Sequence, residues 1–194
     1  MTETRADDRK RLVVVGVGAL GALALGGAAT IYFGAFNVAA DQPHTAPVAW
    51  LTQTVRDRSI AVRASGVEAP GDLADPNRIK RGAAEYDEMC AMCHLGPGVE
   101  RSEISQGLYP RAPQLARESG RPVQEDFWVI KHGIKMTAMP AWGVTHNDAI
   151  LWDIVAFLQK LPRLTPDQYK ALTKDAAAEH DEMRDHAPMP GMNH

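Results

Sequence analysis

The chain has 194 residues, a formal net charge of −3 and two cysteines. That length allows one ordinary domain with appendages. The charge leaves no basic face for nucleic acid, and two cysteines exclude a disulfide-dense scaffold. They also fall short of a four-ligand structural zinc site, unless histidines complete it.

Residues 1–11 form a short charged tail. From Leu12 to Ala40 no Asp, Glu, Lys or Arg occurs. A spanning helix needs about 20 apolar residues, whereas the core of a cleaved signal has about 7–15. Residues 12–40 therefore read as a transmembrane anchor in contact with lipid. The "VAA" before Asp41 resembles a small-residue cleavage site, so a cleaved leader is the alternative. Arg9, Lys10 and Arg11 precede the run, and no such cluster follows it at once. The positive-inside rule puts the N-terminus in the cytoplasm and the rest of the chain beyond the membrane. A single pass through a bacterial inner membrane, with the body in the periplasm, is the simplest arrangement. Gly18, Ala22 and Gly26 make a small-residue ladder that would suit a helix partner, although such residues are common in single-pass anchors.

Residues 41–75 read as a spacer. A short helix can start at Pro47, because proline suits the first helical turn. Trp50 is a candidate for the membrane–water interface or for local packing. The turn-rich "APGDLADP" ends the spacer. A compact unit follows at 76–163. Ile79, Ala83, Tyr86 and Met89 recur at helical spacing and lead into the cysteines. A Gly/Pro-rich loop separates them from "PVQEDFWVIKHGI", a helix stopped by Gly133. "KMTAMPAWG" is irregular. "THNDAILWDIVAFLQKLP" is the cleanest helix, with an apolar stripe of Ile150, Ile154, Phe157, Leu158 and Leu161 closed by Pro162. No stretch alternates as a strand would, so the expected fold is all-α.

The chemistry lies in "CAMCH". Cys90 and Cys93 share one face of a helical turn, and His94 follows directly. Two thioether bonds could hold a macrocycle there while His94 offers nitrogen to its iron, the attachment pattern of c-type haem. A redox dithiol would want a strand before the motif. A zinc site would need two more ligands, with His132 and His146 the nearest candidates. The sixth iron position needs a partner. A methionine there gives an electron-transfer centre, whereas an open position favours ligand binding. Met139, stiffened by Pro140, is preferred over Met136.

With these residues in hand, the chain resembles a membrane-anchored class I monohaem cytochrome c. "CAMCH", "GPG", "TAMPAWG" and "LWDIVAFLQKL" occur in that family's order across residues 76–163. The resemblance implies an all-α fold whose first and last helices cross at small residues, here Gly82 or Ala83 against Trp152, Ala156 or Phe157. It implies one covalent haem c on Cys90 and Cys93, ligated by His94 and Met139. It also implies a proline carbonyl that orients the histidine, and Pro97 matches that position. Tyr109, Arg111 and Trp142 lie in loops expected to border the haem and are candidates for its propionates, with Arg111 best suited by its forked guanidinium. Lys131, His132 and Lys135 could form a positive rim for an acidic partner, or simply a solvated surface.

The expected function is one-electron transport, with membrane-bound or periplasmic redox proteins as partners. The alternative is a haem c subunit of a membrane-bound dehydrogenase or oxidase complex. A ligand sensor would require Met139 to be absent from the iron. No catalysis is assigned to the chain by itself. Residues 164–194 read as a helical, then disordered tail. Thr165 and Gln168 fit a capping box. His180, Met183, His186, Met189, Met192 and His194 could bind copper, or could be an inert extension.

Overall fold

The computed structural model describes residues 2–117 and 120–175. The chain divides into two compact units, Met1–Gln42 and Pro43–His194. Among the described residues every regular element is helical.

The first unit is α1, Thr2–Tyr32. Its segment Asp8–Tyr32 is long and apolar enough to cross a membrane. The helix ends eight residues short of the expected limit at Ala40, for a local reason. Gly34 takes a left-handed φ of 62°. Its amide donates to the Ile31 carbonyl, and the Ala35 amide donates to that of Thr30. That pair of bonds is a Schellman cap, which glycine favours because it lacks a Cβ.

The second unit begins with α2, Ala46–Ala64, with proline in its first turn. Residues 41–75 are more than a spacer. Ile60 and Ala64 are buried, and α2 packs against a later helix, α6, Val123–His132. Arg121 of the loop before α6 reaches Asp57 of α2 at 4.0 Å.

Next come α3, Pro76–Met89, and the one-turn α4, Ala91–His94. The Asp75 carboxylate caps α3 by accepting from the Asn77 amide at 2.8 Å, satisfying one of the orphan donors at a helix start. After α5, Glu103–Gly107, comes α6, Val123–His132, which stops at Gly133 as its sequence implies. A 3₁₀ turn, Trp142–Val144, precedes α7, Asp148–Lys160, capped by the Asn147 side chain. Residues 166–175 form α8. Thr165 and Gln168 cap it reciprocally, with bonds of 2.9 and 3.3 Å.

The centre of this unit is the crossing of α3 and α7. A side chain on Gly82 would overlap the Asp153 backbone, so only glycine allows this approach. Tyr86 and Phe157 meet just beyond it with ring centroids 5.2 Å apart. Leu151, Ile154, Val155, Phe157 and Leu161 are almost wholly buried, each contributing about 1.5–3 kcal/mol through burial of apolar surface. Asp153 sits inside this apolar stripe, paired with Arg78 and Arg81 at 2.7 Å each. The carboxylate holds the Arg81 guanidinium above its ordinary range.

The start of the expected tail is also part of the fold. Tyr169 of α8 is buried, and its hydroxyl donates to Asp87 of α3 at 2.9 Å. Its ring covers Gly96, where a Cβ would come within 2.5–2.8 Å of ring carbons. The six His and Met residues proposed for copper lie outside the described residues.

Candidate cofactor site

The C-terminal end of α3 delivers the two cysteines. The Cys90 amide donates to Tyr86 O at 2.9 Å, so the helix runs up to Cys90. The amides of Cys93 and His94 both donate back to Cys90 O, at 3.1 and 2.9 Å. This tight turn keeps Cys90, Cys93 and His94 together. All three line a cleft of about 400 Å³, within the size range of cofactor pockets. The turn is fixed from behind by the Tyr86 hydroxyl, which donates to Leu95 O.

His94 Nδ1 lies 2.9 Å from the carbonyl oxygen of Pro113. A carbonyl only accepts, so Nδ1 carries the proton and the lone pair of a neutral ring sits on Nε2. The acceptor is therefore Pro113 and not Pro97. The reason is visible around Pro97: a Cβ on Gly96 would strike the Tyr169 ring and one on Gly98 would strike Pro166. That loop is packed under α8 and does not line the cleft.

Another part of the wall comes from the irregular segment after α6. Met139 lines the cleft, whereas Met136 is 99% exposed. A short network sets the Met139 backbone. Its amide donates to Thr137 Oγ1 at 3.1 Å, that hydroxyl donates to Ile134 O at 2.8 Å, and the Ile134 amide donates to Met139 O at 3.2 Å. Two glycines allow the segment to lie flat on its neighbours. A Cβ on Gly133 would meet Met139 O at 2.7 Å, and one on Gly143 would meet Lys131 O at 2.8 Å.

Of the three propionate candidates, Arg111 and Trp142 line the cleft. Tyr109 does not. Its hydroxyl oxygen accepts the His44 amide at 2.7 Å, and its ring stands edge-on to that of His44 at 5.0 Å. It pins the start of the second unit instead. Sequence reasoning missed other wall residues: Arg56, Arg121, Asp126 and Arg163. Burial pushes the Asp126 carboxyl up to about 6, with Arg121 pulling the other way.

The competing uses of the cysteines find little support. Burial pushes the Cys90 thiol up to about 12, the reverse of what a reactive dithiol requires. His132 lies tilted against Trp128, and His146 lies against Trp142 and Thr145. Among the described residues no group of three or more His, Cys, Asp or Glu could hold a metal ion. Two thiols on one turn, an imidazole with Nε2 as its basic nitrogen and a methionine lining the same cleft do fit a haem.

The model of the family described as cytochrome c oxidase, cbb3-type, subunit III matches residues 77–158. No curated protein matches the chain. The match spans α3 to α7, the segment that builds the crossing and most of the cleft. Members of that family carry haem c covalently and use it to transfer electrons. Residues 77–158 thus form a cytochrome c domain, set in a helical chain with one apolar N-terminal helix.

Proposed function

We propose that this chain carries one electron at a time on a single haem c that Cys90 and Cys93 would bind covalently, with His94 and Met139 as the residues that would hold its iron. The observation that carries this reading is the convergence of Cys90, Cys93, His94 and Met139 on one cleft. When bound, the group supplies an iron that alternates between two oxidation states. The protein's part is positional. Pro113 O fixes the His94 tautomer and its ring plane. The Ile134–Thr137–Met139 network aims the thioether. Arg111, Arg121 and Arg163 offer guanidinium donors to carboxylates at the cleft wall, and Trp142 adds an apolar face. An iron held by both His94 and Met139 would carry electrons and leave no position for a substrate.

The Arg9, Lys10 and Arg11 cluster, which lies within the N-terminal part of α1 ahead of its apolar run, supports a cytoplasmic N-terminus and a domain on the outer side of a bacterial inner membrane, the periplasm. The partners are redox proteins in or beside that membrane. The oxidase-subunit description of the matched family favours a second form of this reading, in which the domain is the haem c subunit of a stable membrane complex. Purification of the full chain in mild detergent separates the two: a stoichiometric partner supports the subunit.

The ligand assignment is tested on the purified protein. Mass spectrometry should show one haem, lost in Cys90→Ala with Cys93→Ala. The methionine–iron charge-transfer band of the oxidised protein should vanish in Met139→Leu and survive in Met136→Leu. Survival of the band in Met139→Leu would overturn the assignment.

A further inference from the structure

The helix α2 precedes the family-matched residues and carries two faces of different kinds. One face is used by the fold: Ile60 and Ala64 are buried, and Arg56 lines the cleft. The other is apolar and exposed. Trp50 is 68% exposed, Leu51 54%, Val55 60% and Val62 69%. At 100° per residue these four fall within one arc of roughly 140°, and Ile60, Ala64 and Arg56 fall outside it. A face of this kind is what an interfacial helix lays on a bilayer.

We propose that α2 rests on the lipid surface through Trp50, Leu51, Val55 and Val62. Two observations select lipid as the occupant. Residues 33–45 join α2 to a helix long and apolar enough to cross a membrane. Even fully extended, that link spans only roughly 45 Å, so α2 cannot leave the neighbourhood of the bilayer. The charges of α2 also suit anionic headgroups. Arg56 is paired with Asp57 at 2.8 Å, which leaves Arg58 and Arg63 as the net charge of the helix, and Arg58 lies within the apolar arc, where its stem can lie along lipid while its head stays wet. Trp50 sits in the first turns, the end nearest the anchor, and tryptophan favours the headgroup level. The inference rests on α1 being a membrane anchor. It goes further in giving the domain a fixed seat: one wall of the cleft stands about one helix diameter, roughly 10–12 Å, from the lipid.

The test uses the full chain with haem attached, in vesicles of equimolar phosphatidylethanolamine and phosphatidylglycerol. A lipid-soluble diazirine is photolysed and labelled residues are mapped by mass spectrometry. Label is expected on α1 and on the Trp50–Val62 face of α2, with none on α7. In Leu51→Glu with Val55→Glu the α2 label should drop to the level of α7, while helicity and the haem absorption spectrum are retained. Label on α1 alone overturns the seat and leaves the anchor standing. An unlabelled α1 overturns both. Label on α2 that persists in the double variant, or chemical crosslinks joining two copies through α2, also overturns the proposal.

Discussion

The backbone of Gly82 lies directly against the carbonyl of Asp153, with no room for a Cβ between them. α3 and α7 therefore meet backbone to backbone, and the cysteine turn at the end of α3 inherits its position from that crossing. Gly82→Ala should force the helices apart and destabilise the fold by about 1–3 kcal/mol, as overpacking of a close core does. A lowered urea midpoint with an unchanged denaturant slope would show it. An unchanged midpoint would mean the crossing yields.

Asp153 answers two arginines from inside the core. Its side chain is almost fully buried, and that of Arg78 is largely so. Removing one partner of a buried pair leaves charge without compensation, at a cost of about 3–5 kcal/mol. Asp153→Asn should lose that much, and Arg81→Gln much less because Arg81 is half exposed. Thermal melts of the two variants, compared at one pH, decide the order.

The methionine segment depends on Gly133, which holds φ at 63° with Met139 and Pro140 packed over it. Gly133→Ala adds both conformational strain and a collision with Met139 O. The expected outcome is a fold that remains helical by circular dichroism but loses the methionine–iron band. Retention of the band would show that the segment tolerates the shift.

Asp126 gives the stability a pH signature. Its carboxyl ionises near about 6 in the folded chain because burial disfavours the charge, and near about 4 when unfolded. Between those values the unfolded state binds fewer protons than the folded state, so this group's contribution falls as pH rises from about 4 to about 6 and is level above. Asp126→Asn should remove that slope, measured as the change in urea midpoint between the two pH values. Asp126 also lines the cleft, so its ionisation should lower the haem midpoint potential, and the Asn variant should flatten that dependence in a redox titration.

Tyr169 ties α8 to the body of the domain. Tyr169→Ala removes a buried ring and the bond to Asp87, a loss of about 3–5 kcal/mol by analogy with large aromatic truncations. Ending the chain before Thr165 should cost at least as much, read by the same melts.

Much of this architecture was legible because it is local. The cysteine turn is five consecutive residues, and the apolar stripe of α7 repeats at helical spacing. The crossing at Gly82 or Ala83 was expected from the family resemblance, which places small residues where the first and last helices meet. What escaped was long-range or carried by the backbone. The carbonyl of Pro113 has no side-chain signature, and Pro97 was nearer in sequence but its neighbours Gly96 and Gly98 pack against α8. The burial of α2 rests on Ile60 and Ala64, two residues among many polar ones, which is too sparse for a periodic signal. Tyr169 looked like one aromatic in a solvated helix, since its partners Gly96 and Asp87 lie far away in the chain. Asp153 did leave a trace: an acid centred in an apolar stripe asks for a cation, and Arg78 and Arg81 stand at helical spacing on α3.

The glycine-hinged segment around Met139 has a consequence for speed. When one electron arrives, every atom that must shift to suit the new charge adds to the energy barrier of the transfer. Here the thioether hangs from a backbone packed on backbone at Gly133 and Gly143 and closed by its own hydrogen bonds. For an iron held by Met139, both oxidation states meet nearly the same frame, so little rearrangement opposes the exchange. The rate would then be left to the driving force and to the distance between donor and acceptor.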